Sequence, residues 1–364
     1  MTALASLTGA ALASWDFCPA GQTKAPCGTT NQRCGPERAA SATPRFHLQD
    51  ATCGMNDPNG PFYDPNHALY HLFYQDHIGR PVPETFPQGF EGPSWGHAVS
   101  PDMVRWAHSP VALWNGEHWY DVHALFTGSA TVVNGEAFLV FPGVCDLYPP
   151  SGKIPGCRYG YTFGVARPSE PSDPFLTNWT KSELNPVMND TFDDPSTAWI
   201  TPEGELRWIA NCGDGRVGDC GPNGTQAPLY GASDASFSSA YKIGFTNLDA
   251  GECPSLYPLP PLSPGTTPAP RMPTHVHKWG CEPYKDCVDI GTWTEGSTKR
   301  REVGRWESML DTRPVVIDRG SSYAAKDLDD AKRGRRISFA WARLEPSEQG
   351  EQINGDVQSR SHFT

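Results

Sequence analysis

The chain has 364 residues, enough for one large core or two ordinary domains, with 36 glycines, 36 prolines and no helical apolar period long enough for a substantial helix. A formal charge of −12 and a pI near 5.3 exclude the basic footprint of a nucleic-acid binder and suit a neutral ligand. No apolar run approaches the length of a membrane span, and eleven cysteines are many for a reducing compartment.

Residues 1–44 are rich in Ala, Thr, Pro and Cys without periodicity and read as a leader or an irregular, disulfide-tied N-terminal segment. Thr2 to Ser14 are small and apolar, and Ala11-Leu12-Ala13 has the form of a signal-peptidase site, although no basic stretch precedes it. The folded unit is expected over residues 45–345, where short β-like runs alternate with turn clusters. These runs are Ala68 to Tyr74, Ala124 to Val133, Ala137 to Phe141, Leu206 to Ala210, Tyr241 to Phe245, Pro314 to Ile317 and Ile337 to Trp341. The chain is therefore all-β, with a rhythm that sandwiches, barrels and propellers share. Pro258 to Pro273 reads as a rigid surface excursion, Lys299 to Arg301 as a solvated loop, and residues 346–364 as a polar C-terminal tail.

Sequons at Asn178-Trp179-Thr180, Asn189-Asp190-Thr191 and Asn223-Gly224-Thr225 join the cysteines in pointing to the secretory route. Cys281 with Cys287, and Cys212 with Cys220, are spaced to close short loops as disulfides, and the odd count leaves at least one thiol over. No CxxC occurs. His275 and His277 share one face of a strand, where packing is the better account than a metal.

Three acidic residues stand in unusual settings. Asp57 lies in Met55-Asn56-Asp57-Pro58-Asn59-Gly60, where Pro-Asn-Gly signals a turn that ends the preceding strand and leaves the carboxylate at its tip. Asp194 precedes Pro195, which biases it towards an extended conformation. Glu252 sits in Gly251-Glu252-Cys253-Pro254, beside another turn-forming pair. Singly, each reads as a solvated loop carboxylate.

In order, they match a family. Met55 to Gly60, Tyr70-His71-Leu72-Phe73-Tyr74-Gln75 and Trp95-Gly96-His97-Ala98-Val99-Ser100-Pro101-Asp102 resemble the opening of glycoside hydrolase family 32, the invertases, inulinases, levanases and fructosyltransferases. Phe126-Thr127-Gly128-Ser129-Ala130 resembles its Ser-Gly-Ser-Ala strand, Phe192 to Trp199 its Arg-Asp-Pro segment, and Gly251 to Pro254 its Glu-Cys motif. Asp318-Arg319-Gly320, Tyr323-Ala324-Ala325 and Arg335-Arg336-Ile337 are similar to its last blade.

The resemblance implies a five-bladed β-propeller whose three acids converge on an axial pocket; the residues up to Thr364 are too few for the family's usual C-terminal β-sandwich, so either the protein is a propeller alone or the sequence is truncated. It implies a retaining hydrolase of terminal β-D-fructofuranosides such as sucrose or fructans, with Asp57 as nucleophile and Glu252 as general acid/base. Glu252 is expected to be kept protonated by the charge of Asp57 and by desolvation. Asp194 is expected to bind the fructosyl hydroxyls, helped by Asn56, Gln75 and Ser129, with Trp95 and Phe126 as candidate walls. No cofactor or metal is implied, and the expected location is secreted, extracellular or vacuolar. The partner is a small sugar or oligosaccharide, with no nucleic acid and no membrane. A propeller lacking its sandwich would expose a surface suited to a homo-oligomer.

The chain also departs from the family. Asp193 stands where the family has Arg, so a donor is lost and repulsion added. If it points into the pocket, it raises the pKa values of the acids and weakens fructosyl binding by about 1.5 to 3 kcal/mol. Gly54 replaces an aromatic and Phe126 a tryptophan, which thins the sugar-stacking walls. These departures keep two alternatives open: a fructosyltransferase of the same family, and a catalytically impaired carbohydrate-binding relative.

Overall fold

Short runs rich in β-branched and aromatic residues build five antiparallel sheets that follow one another along the chain in the computed structural model. It describes Leu48 and residues 55–77, 92–146, 157, 160–189, 191–212, 220–222, 224–259, 272–282, 284–311, 314–318, 322–330, 333–342 and 362–363. The N-terminal leader, most of the Pro258 to Pro273 excursion and the sequon residue Asn223 lie outside the described residues.

The first sheet holds β1 (Met55–Asp64), β2 (Leu69–Asp76), β3 (Ser94–Ser100) and β4 (Ala107–Leu113) in sequential order. The second contains β5 (Ala124–Leu125), β6 (Ser129–Val133), β7 (Glu136–Val144), β8 (Tyr161–Pro168), β9 (Trp179–Lys181) and β10 (Met188–Asn189), centred on β7 and β8. The third runs through β11 (Trp199–Ile200), β12 (Leu206–Ile209), β13 (Gln226–Ala232) and β14 (Tyr241–Asp249). The fourth comprises β15 (Ser255–Pro258), β16 (His275–Glu282), β17 (Lys285–Thr294), β18 (Arg305–Ser308) and β19 (Val315–Val316). The fifth is β20 (Ser322–Asp330), β21 (Arg335–Ala342) and β22 (His362–Phe363). The last of these strands comes from the segment read as a polar tail.

The arrangement is propeller-like. Residues of β1, β6, β15 and β20, with Ser196 to Trp199 leading into β11, together line one cavity of about 330 Å³. The chain ends of the array are drawn together where β1 packs on both β6 and β20. Tyr70 of β2 donates to Asp330 Oδ2 at the end of β20 over 3.1 Å, joining the first sheet to the fifth. Neighbouring sheets are also clamped by charge. The fully buried Arg207 guanidinium on β12 reaches Glu205 (2.9 Å) and Glu295 (2.5 Å), and Trp199 donates to the same Glu295.

The turn signal at Pro58-Asn59-Gly60 does not end a strand. β1 runs through it, and the pairing with β2 slips between Met55 and Pro58 and again between Asn59 and Phe62. Gly60 has a φ of +41°, and a Cβ there would stand 2.6 Å from the Ala130 amide nitrogen. The turn residues thus serve bulges that let β1 approach β6. The run Ala124 to Val133 is likewise split into β5 and β6 around Gly128, where a Cβ would meet the Val140 carbonyl oxygen at 2.1 Å and the Trp95 ring at 2.8 Å.

Both expected short-loop disulfides form, Cys212–Cys220 and Cys281–Cys287, and Cys145–Cys157 adds a third. His277 packs on Trp279 and turns its ring nitrogens to the carbonyls of Ser255 and Asp249, which accounts for it without a metal. Among the described sequons, Asn178 and Asn189 are exposed.

The core under the first two sheets carries two histidines. His71 Nδ1 and His97 Nε2 are 3.0 Å apart, and the rings stack against Phe62 and Phe73. Burial pushes His71 down to about 4 and lowers His97 well below the ordinary value of 6.5. The folded chain holds both rings neutral while the unfolded chain protonates them near 6.5. Their contribution to stability is therefore complete above that value and is lost as pH falls towards 4, by on the order of 3 kcal/mol for His71 alone. Urea midpoints measured at about pH 7 and pH 4.5 should show this decline, and a His71→Phe/His97→Phe double variant should make it smaller by the share that these two rings contribute. An unchanged pH dependence in the double variant would contradict the neutral pair.

Candidate active site

Asp57 on β1 is buried, and both of its carboxylate oxygens are engaged. Thr127 Oγ1 donates to Oδ2 over 2.6 Å, and Asn56 Nδ2 donates to Oδ1 over 3.0 Å. Gln75 supports both donors, accepting from Asn56 (3.2 Å) and donating to Thr127 (2.5 Å). Burial raises the Asp57 pKa, while the Thr127 and Asn56 hydrogen bonds and the Lys326 charge draw it back.

Asp194 is buried beside it. Its backbone is not extended as the following proline suggests: φ is +50°, in the left-handed region that Asp tolerates better than most residues. Three contacts hold it there. Its Oδ2 accepts from the Cys253 amide at 2.9 Å and from Asn211 Nδ2 at 3.5 Å, and the preceding Asp193 carbonyl accepts from the Asn211 amide. Burial, reinforced by the charges of Glu252 and Asp57, pushes Asp194 up to about 7 against the pull of Lys326.

Glu252 arrives on the adjoining turn. Its successor Cys253, at φ +51°, supplies the amide that binds Asp194, and the Glu252 carbonyl accepts from the Gly280 amide at 2.8 Å. The Glu252 side chain is exposed, and Tyr323 Oη donates to its Oε2 at 2.5 Å. Burial and the Glu252 charge hold the Tyr323 phenol protonated. Burial thus lifts Asp194, a carboxyl on which the sequence placed no such expectation.

The three acids come from three different sheets or their approaches, and Cys253 on the Glu252 turn stands between Asp194, which takes its amide, and Asp57, 3.9 Å from its thiol. The donor atoms of Asp57, Asp194 and Cys253 lie within 4.8 Å of one another. Burial raises the Cys253 pKa well above its ordinary value. A buried cation balances the group. Lys326 on β20 is 2% exposed, donates to the Pro195 carbonyl at 3.1 Å and lowers the pKa values of Asp57, Asp194 and Cys253.

The remaining expectations divide. Asn56 and Gln75 stand at the acid cluster. Ser129 does not face it through its hydroxyl, which donates to the Pro195 carbonyl at 2.6 Å and so braces the Asp194 turn. The hydroxyl on Asp57 is that of Thr127, two residues earlier. Trp95 is fully buried, bonds to the Phe126 carbonyl and packs between Phe73 and Phe141, which makes it core. Phe126 is half-buried against Tyr161. Asp193 is half-buried, and its charge bears on Tyr230. Thr127, Lys326 and Tyr323 escaped the sequence reading. Thr127 and Tyr323 carried a usable signal, their places within the Ser-Gly-Ser-Ala-like strand and the last-blade motif.

Known proteins resemble this chain over most of its length. The profile of the glycosyl hydrolases family 32 N-terminal domain matches residues 47–361. A fructan 6-exohydrolase from Triticum aestivum is 31% identical over 333 residues, covering 86% of this chain and 52% of its own length. An acid β-fructofuranosidase from Solanum lycopersicum is 30% identical over 332 residues, covering 85% and 46%. The solved structure of fructan 1-exohydrolase IIa from Cichorium intybus superposes with a TM-score of 0.61 at 28% identity, covering 83% of this chain and 54% of that one. The chain spans about half the length of the curated relatives it matches. With its propeller-like sheets and its cluster of acids on three successive motifs, the chain belongs to glycosyl hydrolase family 32.

Proposed function

We propose that this chain forms a five-bladed propeller, one blade per sheet, and cleaves terminal β-D-fructofuranosides with retention. The observation that carries the reading is the convergence of Asp57, Asp194 and the Glu252 turn at Cys253, whose amide binds Asp194 and whose thiol stands 3.9 Å from Asp57 Oδ2. Asp57 attacks the anomeric carbon of the fructosyl unit while Glu252 gives a proton to the departing oxygen, forming a fructosyl ester on Asp57. Glu252 then takes a proton from water, which attacks the same carbon and frees fructose and Asp57. Asp194 holds the ring hydroxyls. With its Oδ2 accepting two protein hydrogen bonds, its proton below pH 7 belongs on Oδ1, from which it can donate to a hydroxyl. The residues present supply acid, base and nucleophile, so the reading needs no cofactor.

Relatives support the substrate class, since they bear the names fructan exohydrolase and acid β-fructofuranosidase, and a related structure holds 1-kestose. Three disulfides and exposed sequons support passage through the secretory route, and one relative is a vacuolar β-fructofuranosidase of Arabidopsis thaliana.

Three outcomes are expected. Purified protein incubated with sucrose, inulin and levan should release fructose, and Asp57→Asn should lose that release by at least about a thousandfold; folded protein that releases none contradicts the reading. Turnover should fall as pH rises through about 7, where Asp194 ionises, as a pH–rate profile would record. Lys326→Met should move the acid limb of that profile up by about one pH unit, because the cation that favours ionised Asp57 is gone. A limb that stays in place would show that Lys326 does not set the charge balance.

A further inference from the structure

The hydrogen bonds around Asp57 form a ring with one direction. Asn56 Nδ2 places one proton on Asp57 Oδ1 and the other on Gln75 Oε1; Gln75 Nε2 donates to Thr127, and Thr127 donates to Asp57 Oδ2. Both amide protons of Asn56 are committed, so only its Oδ1 is left to face outward, and a carbonyl oxygen can only accept. His77, the residue just beyond β2, meets that oxygen through Nε2 at 2.5 Å. The imidazole must therefore carry its proton on Nε2.

We infer that His77 is a positioning residue that fixes the Asn56 amide and thereby the polarity of a donor chain ending on both oxygens of Asp57. An unanchored primary amide can turn or swing away at little cost. Anchored at Oδ1, the Asn56 side chain must keep Nδ2 between Asp57 and Gln75. The proton on Nε2 is present in the neutral tautomer and in the imidazolium, so the anchor does not depend on the charge of His77, whose pKa burial lowers to about 4.

The effect is separable from the other influences on Asp57. Lys326 acts from β20 by charge, Thr127 from the approach to β6 by a hydrogen bond, and Cys253 stands 3.9 Å from Oδ2 on the Glu252 turn; Asp194 and Glu252 complete the charged surroundings. None of them touches Asn56 Oδ1 in the described contacts. Removing the imidazole should leave these in place and weaken only the Asn56 arm.

This inference deepens the hydrolase reading, so its test uses a readout that needs no turnover. Carboxyl titration of Asp57 by 13C NMR, assigned by its absence in Asp57→Asn, should show a midpoint about one unit higher in His77→Ala than in the native chain. His77→Asn, whose side-chain N–H can donate to Asn56, should restore the midpoint. The acid limb of kcat/KM for sucrose should move with it, while thermal midpoints stay together. An Asp57 midpoint unmoved by His77→Ala, or one that His77→Asn fails to restore, overturns the inference. If Asp57 titrates as expected in all three forms but no fructose is released by the native chain, the positioning role stands and the hydrolase reading falls.

Discussion

The structure depends on keeping two carboxyl groups buried side by side. Asp57 and Asp194 are each less than a tenth exposed, and burial alone drives both towards the neutral acid. In its proposed role as nucleophile Asp57 has to be ionised, so something must oppose that drift at one carboxyl while leaving the other protonated. Lys326 opposes it for both, but Asp57 also receives donors on both oxygens, whereas among the described residues the donors to Asp194 meet Oδ2. The same cation is pinned to the Pro195 carbonyl that Ser129 also binds. The turn that aims Asp194 thereby fixes the charge that helps Asp57, and the two roles are built from one short segment.

That arrangement explains why the sheets must approach so closely at the axis. Gly60 and Gly128 lack side chains where β1 meets β6 and where β7 and Trp95 crowd the second sheet. The left-handed residues Asp194 and Cys253 bend the chain so that a carboxylate and an amide face each other instead of the solvent. Local strain at the site is offset by the aromatic and ionic packing between sheets, of which the Arg207 clamp and the Tyr70 contact with Asp330 are the clearest parts.

The acids were legible because each sits in a distinctive tripeptide and the tripeptides come in order. Strand positions were legible from aromatic and β-branched runs, and two disulfides from loops short enough to close locally. What failed was conformation at the motifs. Pro-Asn-Gly and Asp-Pro obey turn and pre-proline statistics in isolation, but here tertiary hydrogen bonds outweigh both, giving a bulged strand and a left-handed aspartate. Lys326 was hidden because Ala324-Ala325-Lys326-Asp327 reads as an ordinary polar strand, and nothing local distinguishes a buried lysine from a solvated one. Ser129 and Thr127 alternate along one segment, and only the side-chain direction tells which hydroxyl reaches Asp57. The anion at Asp193 stood out by its position in the motif, and its charge bears on Tyr230.

The proposed reaction requires the Asp57 carboxylate to be the nucleophile that attacks the sugar. A Glu252→Ala variant given an activated β-fructofuranoside should accumulate the ester, because the leaving group needs no acid while the water step loses its base. Acid quenching, proteolysis and mass spectrometry should then find one fructosyl unit on the peptide that contains Asp57. Fructose released with the sugar attached to a different residue, or with no covalent species at any time, would contradict it.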